Sequence, residues 1–275
     1  MKKNCRMQEL LKMKSLLIGG WSGTVFGGRK RYAFTLAEVL ITLGIIGVVA
    51  ALTIPTLIKN YQKQVWVNQL KKTYSTLNEG FKQMVASEGC TTLRCADISD
   101  DWPITNLDFT KANTKEKFVS TFKLENVYVA GAPENSIYNY NIKFLSGDEE
   151  NFRTFFIVNN RSGLVGTTPS GEIIAFANSI IGPIVAVDIN GLKSPNVVGR
   201  DIFAFSDFDL KDTVMVTPFY SKQYVELLAS NDAMTAIDEE ERIQTVNDEC
   251  STTLGGFANL TCAEKIIMDG WKMTY

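Results

Sequence analysis

The amino-acid sequence predicts an α+β fold: a long N-terminal helix, membrane-spanning in its first half, packed on an antiparallel β-sheet and followed by a disulfide-stapled C-terminal tail. Three observations carry that expectation. Val39 to Ile58 is an unbroken run of 20 uncharged residues. Behind it, Val67, Leu70, Tyr74, Leu77, Phe81 and Met84 recur at steps of 3, 4, 3, 4 and 3, one stripe of an amphipathic helix. From Phe152 onward, short β-branched and aromatic runs alternate with Ser-Gly and Asn-Gly turn signals.

The uncharged run sets the organisation. As a helix rising ~1.5 Å per residue it spans about 30 Å, the hydrocarbon thickness of a bilayer. Residues 1–33 hold eight basic residues against Glu9, a charge of +7, and the rest of the chain carries −9. Basic residues ahead of an apolar segment place the N-terminus in the cytoplasm and send the C-terminal body across the membrane. An ordinary secretory signal cut near Val49-Ala50-Ala51 is the competing reading, but the apolar run continues past that site to Ile58. Glu38 opens the run with a carboxylate, which is costly at bilayer depth unless it finds a partner.

The chain has 275 residues and no His, which excludes Ser-His-Asp and Cys-His catalysis and His-ligated zinc. Phosphate-loop, dinucleotide, nucleophile-elbow and zinc-protease motifs are absent from the sequence. Asp238-Glu-Glu-Glu241 reads as a solvated helix face. The acidic body argues against nucleic acid as a partner.

Arg31-Tyr-Ala33-Phe34-Thr35-Leu-Ala-Glu38, followed by the apolar run, resembles the start of a type IV prepilin or a type II secretion pseudopilin. The resemblance covers Phe34 to Ile58. It implies that prepilin peptidase removes a basic leader, residues 1–33, between Ala33 and Phe34, and that the new amine of Phe34 is N-methylated. The family usually has Gly where Ala33 stands. Met7 and Met13 offer later starts that shorten the leader. The resemblance further implies that residues 34–58 form a transmembrane and assembly helix. Glu38, four residues past Phe34, then meets the Phe34 ammonium of a neighbouring subunit and sets the register. Pro55 lies where many type IV pilins carry a helix-distorting proline. The partners implied are the peptidase, other pilin or pseudopilin subunits and inner-membrane lipid. The function implied is that of a structural filament subunit, not an enzyme. The alternative is a membrane-tethered extracytoplasmic binding or hydrolytic domain that does not assemble.

Residues 59–89 read as the outward continuation of the helix, ending near Gly89. Residues 90–275 form the exported α+β body. Within it, 91–150 is irregular, with short elements at Lys117–Phe122 and Ile137–Leu145. Strands are expected at Phe152–Val158, Glu172–Ala177, Pro183–Ile189, Asp201–Ser206 and Thr213–Thr217, in an antiparallel meander. Residues 221–247 read as helical or mixed. Asp188-Ile-Asn190-Gly191, with Asp201, offers oxygen ligands at the spacing of a calcium loop; the competing reading is hairpin-turn chemistry. No other cofactor is expected. Loss of the leader removes Cys5 and leaves Cys90, Cys95, Cys250 and Cys262. Four cysteines allow three connectivities, and local spacing favours Cys90–Cys95 and Cys250–Cys262, bonds suited to an oxidising compartment.

Overall fold

A computed structural model of the chain describes residues 35–91, 107, 109, 111–129, 132–158, 161–179, 182–210, 213–219 and 239–275. The expected cleavage site at Ala33 and Phe34 lies outside them, as do Cys5, Cys95 and most of the 221–247 stretch. The chain divides into two units, Met1–Thr53 and Ile54–Tyr275.

The first helix, α1, runs without interruption over Leu36–Ser87 and ends at Gly89, whose φ is 69°. The sequence segments 34–58 and 59–89 are thus continuous in secondary structure from Leu36. The described part of the first unit is the beginning of this helix.

In the second unit α1 supplies one wall of the core. Its buried face is Val67, Leu70, Thr73, Leu77, Gly80, Phe81, Met84 and Val85, which reproduces the expected stripe apart from the half-buried Tyr74. A second helix, α2, covers Ala112–Phe122. Gly80 is required by packing: a Cβ there would lie 2.4 Å from the Phe122 ring.

The sheet is a six-stranded antiparallel meander. Its strands are β1 (Glu125–Val129), β4 (Arg161–Thr167), β5 (Ile173–Ser179), β6 (Gly182–Asp188), β7 (Ile202–Leu210) and β8 (Thr213–Pro218), adjacent in that order. A separate hairpin pairs β2 (Asn141–Lys143) with β3 (Glu149–Asn151). The alternation of side chains along each strand sorts the core into two layers. Ile174, Phe176, Val185, Val187, Phe203 and Phe205 face α1 and α2. Ile173, Ala175, Ile184, Ala186, Ile202 and Ala204 face a second cluster containing Tyr138, Ile142, Phe152, Phe156 and Phe219. Both faces of the central strands are therefore buried.

Phe176 is the hub of the first layer. It lies fully buried, with its ring 4.8 Å from that of Phe118, 5.3 Å from Phe122 and 6.2 Å from both Phe81 and Phe109. Polar contacts fix α1 at two further places. The Glu172 carboxylate accepts from Lys72 Nζ at 3.3 Å and Thr73 Oγ1 at 3.4 Å. Asn78 Oδ1 accepts the Val216 N–H at 3.0 Å, satisfying a donor on edge strand β8.

One expected strand is corrected. Residues Arg153–Val158 form a π-helical turn, not a strand. Phe152, Phe155 and Phe156 are spaced as on a helix face, and all three are buried. Strands β1 and β4 stand outside the expected set. The C-terminal region folds as α3 (Glu239–Glu249), a 3₁₀ turn (Gly256–Thr261) and α4 (Cys262–Met268). Glu239, Glu240 and Glu241 occupy the exposed first turn of α3, where acidic side chains complement the helix dipole. Arg242 on α3 donates to the buried Glu264 on α4. The disulfide links Cys250, just past the end of α3, to Cys262 at the start of α4, with Cα atoms 4.9 Å apart. Cys90 is also disulfide-bonded, and its expected partner Cys95 lies outside the described residues.

Candidate functional site

The start of α1 is built on Thr35. Its hydroxyl accepts the Glu38 N–H at 3.2 Å. In return the Glu38 carboxylate accepts the Thr35 N–H at 2.8 Å and its O–H at 2.9 Å. This is a reciprocal capping box, which satisfies donors that a helix N-terminus otherwise leaves bare. The Glu38 carboxylate is thus held within its own chain. Thr35 is a site residue that the sequence reading missed, although the T-x-x-E signal for the box is present in the sequence.

Beyond the box the helix shows an apolar exterior. Leu36 is 76 % exposed and Leu52 74 %, and the large side chains from Val39 to Ile58 are exposed throughout. Such a surface is unstable in water and suited to lipid or to other apolar helices. Gly44 and Gly47 open onto empty space. Small residues of this kind let helices approach closely in a membrane. The helix continues through Pro55, which has no N–H to donate within it. Upstream, Thr53 Oγ1 donates to the Val49 carbonyl at 3.0 Å. Among the described residues, α1 is the one helix long and apolar enough to cross a membrane.

The chain carries the prokaryotic N-terminal methylation motif, over residues 28–54. This motif is the hallmark of the prepilin-type segment of type IV pilins and pseudopilins. It covers Ala33, Phe34 and Glu38 and ends just before Pro55. A methylation segment points to a structural subunit, and a single apolar helix behind it is consistent with single-pass anchoring in the inner membrane. No curated protein and no solved structure matches the chain.

The body's candidate ligand residues lie far along the sequence from this segment. Asp188, at the end of β6, and Asp201, just before β7, are both fully buried. Asn190 bridges them: its N–H donates to Asp188 Oδ1 at 3.3 Å and its Nδ2 to Asp201 Oδ2 at 3.0 Å. Tyr140 O–H donates to Asp188 Oδ2 at 2.8 Å. Asp201 also accepts the Asn196 N–H at 2.8 Å and the Val197 N–H at 2.6 Å. The structure therefore brings the three expected residues together, and adds Tyr140 and Asn196. Burial, with the neighbouring Asp201 charge, pushes Asp188 up to about 8, against the pull of Tyr140 and the Asn190 and Gly191 N–H groups. Asn190 Oδ1 and Asn196 Oδ1 are buried with no hydrogen-bond partner. Two carboxylates and two amide oxygens are donors of the kind that hard cations take, while all four carboxylate oxygens already accept N–H or O–H groups of the chain.

This turn rests on the C-terminal staple. Gly199 has φ 89°, and a Cβ there would stand 2.8 Å from Cys262 Sγ. Tyr275 O–H donates to the Gly199 carbonyl. Trp271 and Tyr275, half-buried, pack against the core.

Proposed function

We propose that the chain is a pseudopilin or minor pilin, a structural subunit of a type II secretion or type IV pilus-like filament. The observation that carries this reading is the methylation motif over residues 28–54, joined to a helix whose apolar surface is exposed among the described residues. Prepilin peptidase cuts between Ala33 and Phe34, and the Phe34 amine is methylated. The basic leader holds the N-terminus in the cytoplasm, and the body faces the periplasm. On assembly Glu38 exchanges its Thr35 partners for the Phe34 ammonium of a neighbour, which fixes axial register, and Pro55 loosens the helix below the body.

The deciding experiment is intact mass and N-terminal identification of the protein from bacterial membranes containing the cognate peptidase. A mature chain starting at N-methyl-Phe34 is expected. An uncut chain, or a start near Thr53, overturns the reading in favour of a tether or a secreted domain. Replacement E38A is expected to abolish filament incorporation with membrane insertion intact; unchanged incorporation removes the register role.

A second reading concerns the Asp188–Asp201 turn. The two partnerless amide oxygens beside two buried carboxylates favour calcium there. Millimolar calcium is then expected to raise the thermal midpoint of the wild type and not of D201N. Equal midpoints with calcium and with chelator would leave the turn a hydrogen-bonded hairpin.

A further inference from the structure

An open groove of about 450 Å³ lies between α1 and the C-terminal tail, wholly within the second unit. Its polar lining is Asn60, Lys63, Gln64 and Asn68 from α1 and Trp271 and Lys272 from the tail. None of its lining residues is acidic, although the chain beyond residue 33 carries a net −9. Two lysines and three amide side chains thus line one groove in an otherwise acidic body. Lys63 Nζ is held at the groove by donating to the Tyr275 main-chain oxygen. Lys71 Nζ lies 5.1 Å from the centre of the Trp271 ring, adding positive charge behind it.

The groove's place along the chain supplies the second argument. The uncharged run ends at Ile58, and α1 continues without a break. At ~1.5 Å per residue, Asn60 to Gln64 stand about 3–9 Å past the end of the apolar stretch, the depth of lipid headgroups when that stretch spans the hydrocarbon. Trp is favoured at this level, with an apolar ring and one polar N–H. Basic pockets there recognise anionic headgroups.

We propose that this groove binds the phosphate of an anionic phospholipid headgroup, with Lys63 and Lys272 as charge partners and Asn60, Gln64 and Asn68 as donors. The inference rests on the membrane-inserted reading of α1. It gives the subunit a specific lipid contact before it leaves the bilayer.

The test uses the full chain reconstituted in vesicles of phosphatidylcholine alone and of phosphatidylcholine with about a quarter phosphatidylglycerol, with native mass spectrometry of the lipid retained. Phosphatidylglycerol is expected to be kept in preference to phosphatidylcholine. Each of K272Q and K63Q is expected to weaken retention about fivefold. K272Q leaves the Lys63–Tyr275 contact in place, so its effect is read free of any change in the tail. Insertion with no preference for phosphatidylglycerol overturns the proposal, as does a preference that both variants keep. Displacement of the lipid by inorganic phosphate makes the groove a free-anion site, which also overturns it. Loss of subunit–subunit cross-links in K272Q with lipid retention unchanged makes it a filament contact instead. Failure of the chain to insert at all is a different result and refutes the membrane reading itself.

Discussion

Replacing Phe176 by Ala tests whether α1 is a structural wall of the body. Phe176 is fully buried and its ring meets four other rings, which come from α1, α2 and the segment leading into α2. Truncating a buried Phe to Ala costs about 3–5 kcal/mol through lost burial and the cavity left behind. The T-shaped contacts with Phe118 and Phe81 add about 0.5–1.5 kcal/mol each and place F176A at the upper end. At about 2–4 °C per kcal/mol for a body of this size, the midpoint is expected to fall by roughly 10–20 °C. The control is F257A. Phe257 is 50 % exposed and touches one ring, that of Phe155, so its loss is expected to cost less than about 1.5 kcal/mol. The assay is thermal unfolding of the full chain in detergent, monitored by near-ultraviolet circular dichroism, with limited proteolysis to see whether α1 is released. A fall of less than about 5 °C in F176A, or equal falls in the two variants, would refute the view that this cluster binds the helix to the sheet.

The geometry sets three further outcomes. G199A combines a φ of 89° with a Cβ only 2.8 Å from Cys262 Sγ, and is expected to lose about 1–3 kcal/mol in chemical denaturation; G147A, with φ 96° but nothing within 4 Å, is expected to lose less. Removing the Cys250–Cys262 bond as C250S/C262S opens a short loop and is expected to cost about 3 kcal/mol, read as a lower denaturation midpoint. T35A removes the capping box and about 1 kcal/mol of local helix stability, seen as faster amide exchange at Leu36–Glu38 with the body's melting unchanged.

Much of the fold is legible in the sequence because its signals are periodic. The stripe from Val67 to Met84 marks the buried face of α1, and the strands β5 to β8 lie on β-branched or aromatic runs bounded by turn residues. Strand β4 is harder to see. Its residues, Arg-Ser-Gly-Leu-Val-Gly-Thr, contain two glycines and read as a turn, and only pairing with β5 on one side and β1 on the other makes them a strand. Phe152–Val158 misleads for the opposite reason. Its aromatic residues have high strand propensity, but Phe152, Phe155 and Phe156 fill one pocket when wound helically, and packing prevails over propensity. Asp188, Asn190 and Asp201 are legible as a group from their spacing. Tyr140 is not, because it reaches Asp188 from a segment 48 residues earlier. Nor does spacing alone bring Lys272 to Lys63.

The strand order has a consequence for how the body is assembled as the chain is made. After β4, each strand of the sheet pairs with the one emitted just before it, so the sheet grows in the order the chain emerges. The helix is the exception. Its stripe is synthesised first, yet Phe176, Val185, Val187, Phe203 and Phe205, which cover it, arrive about a hundred residues later. Until then the stripe has only the α2 region to cover it, with Phe118 and Phe122 meeting Phe81, and the rest stays open until the central strands dock.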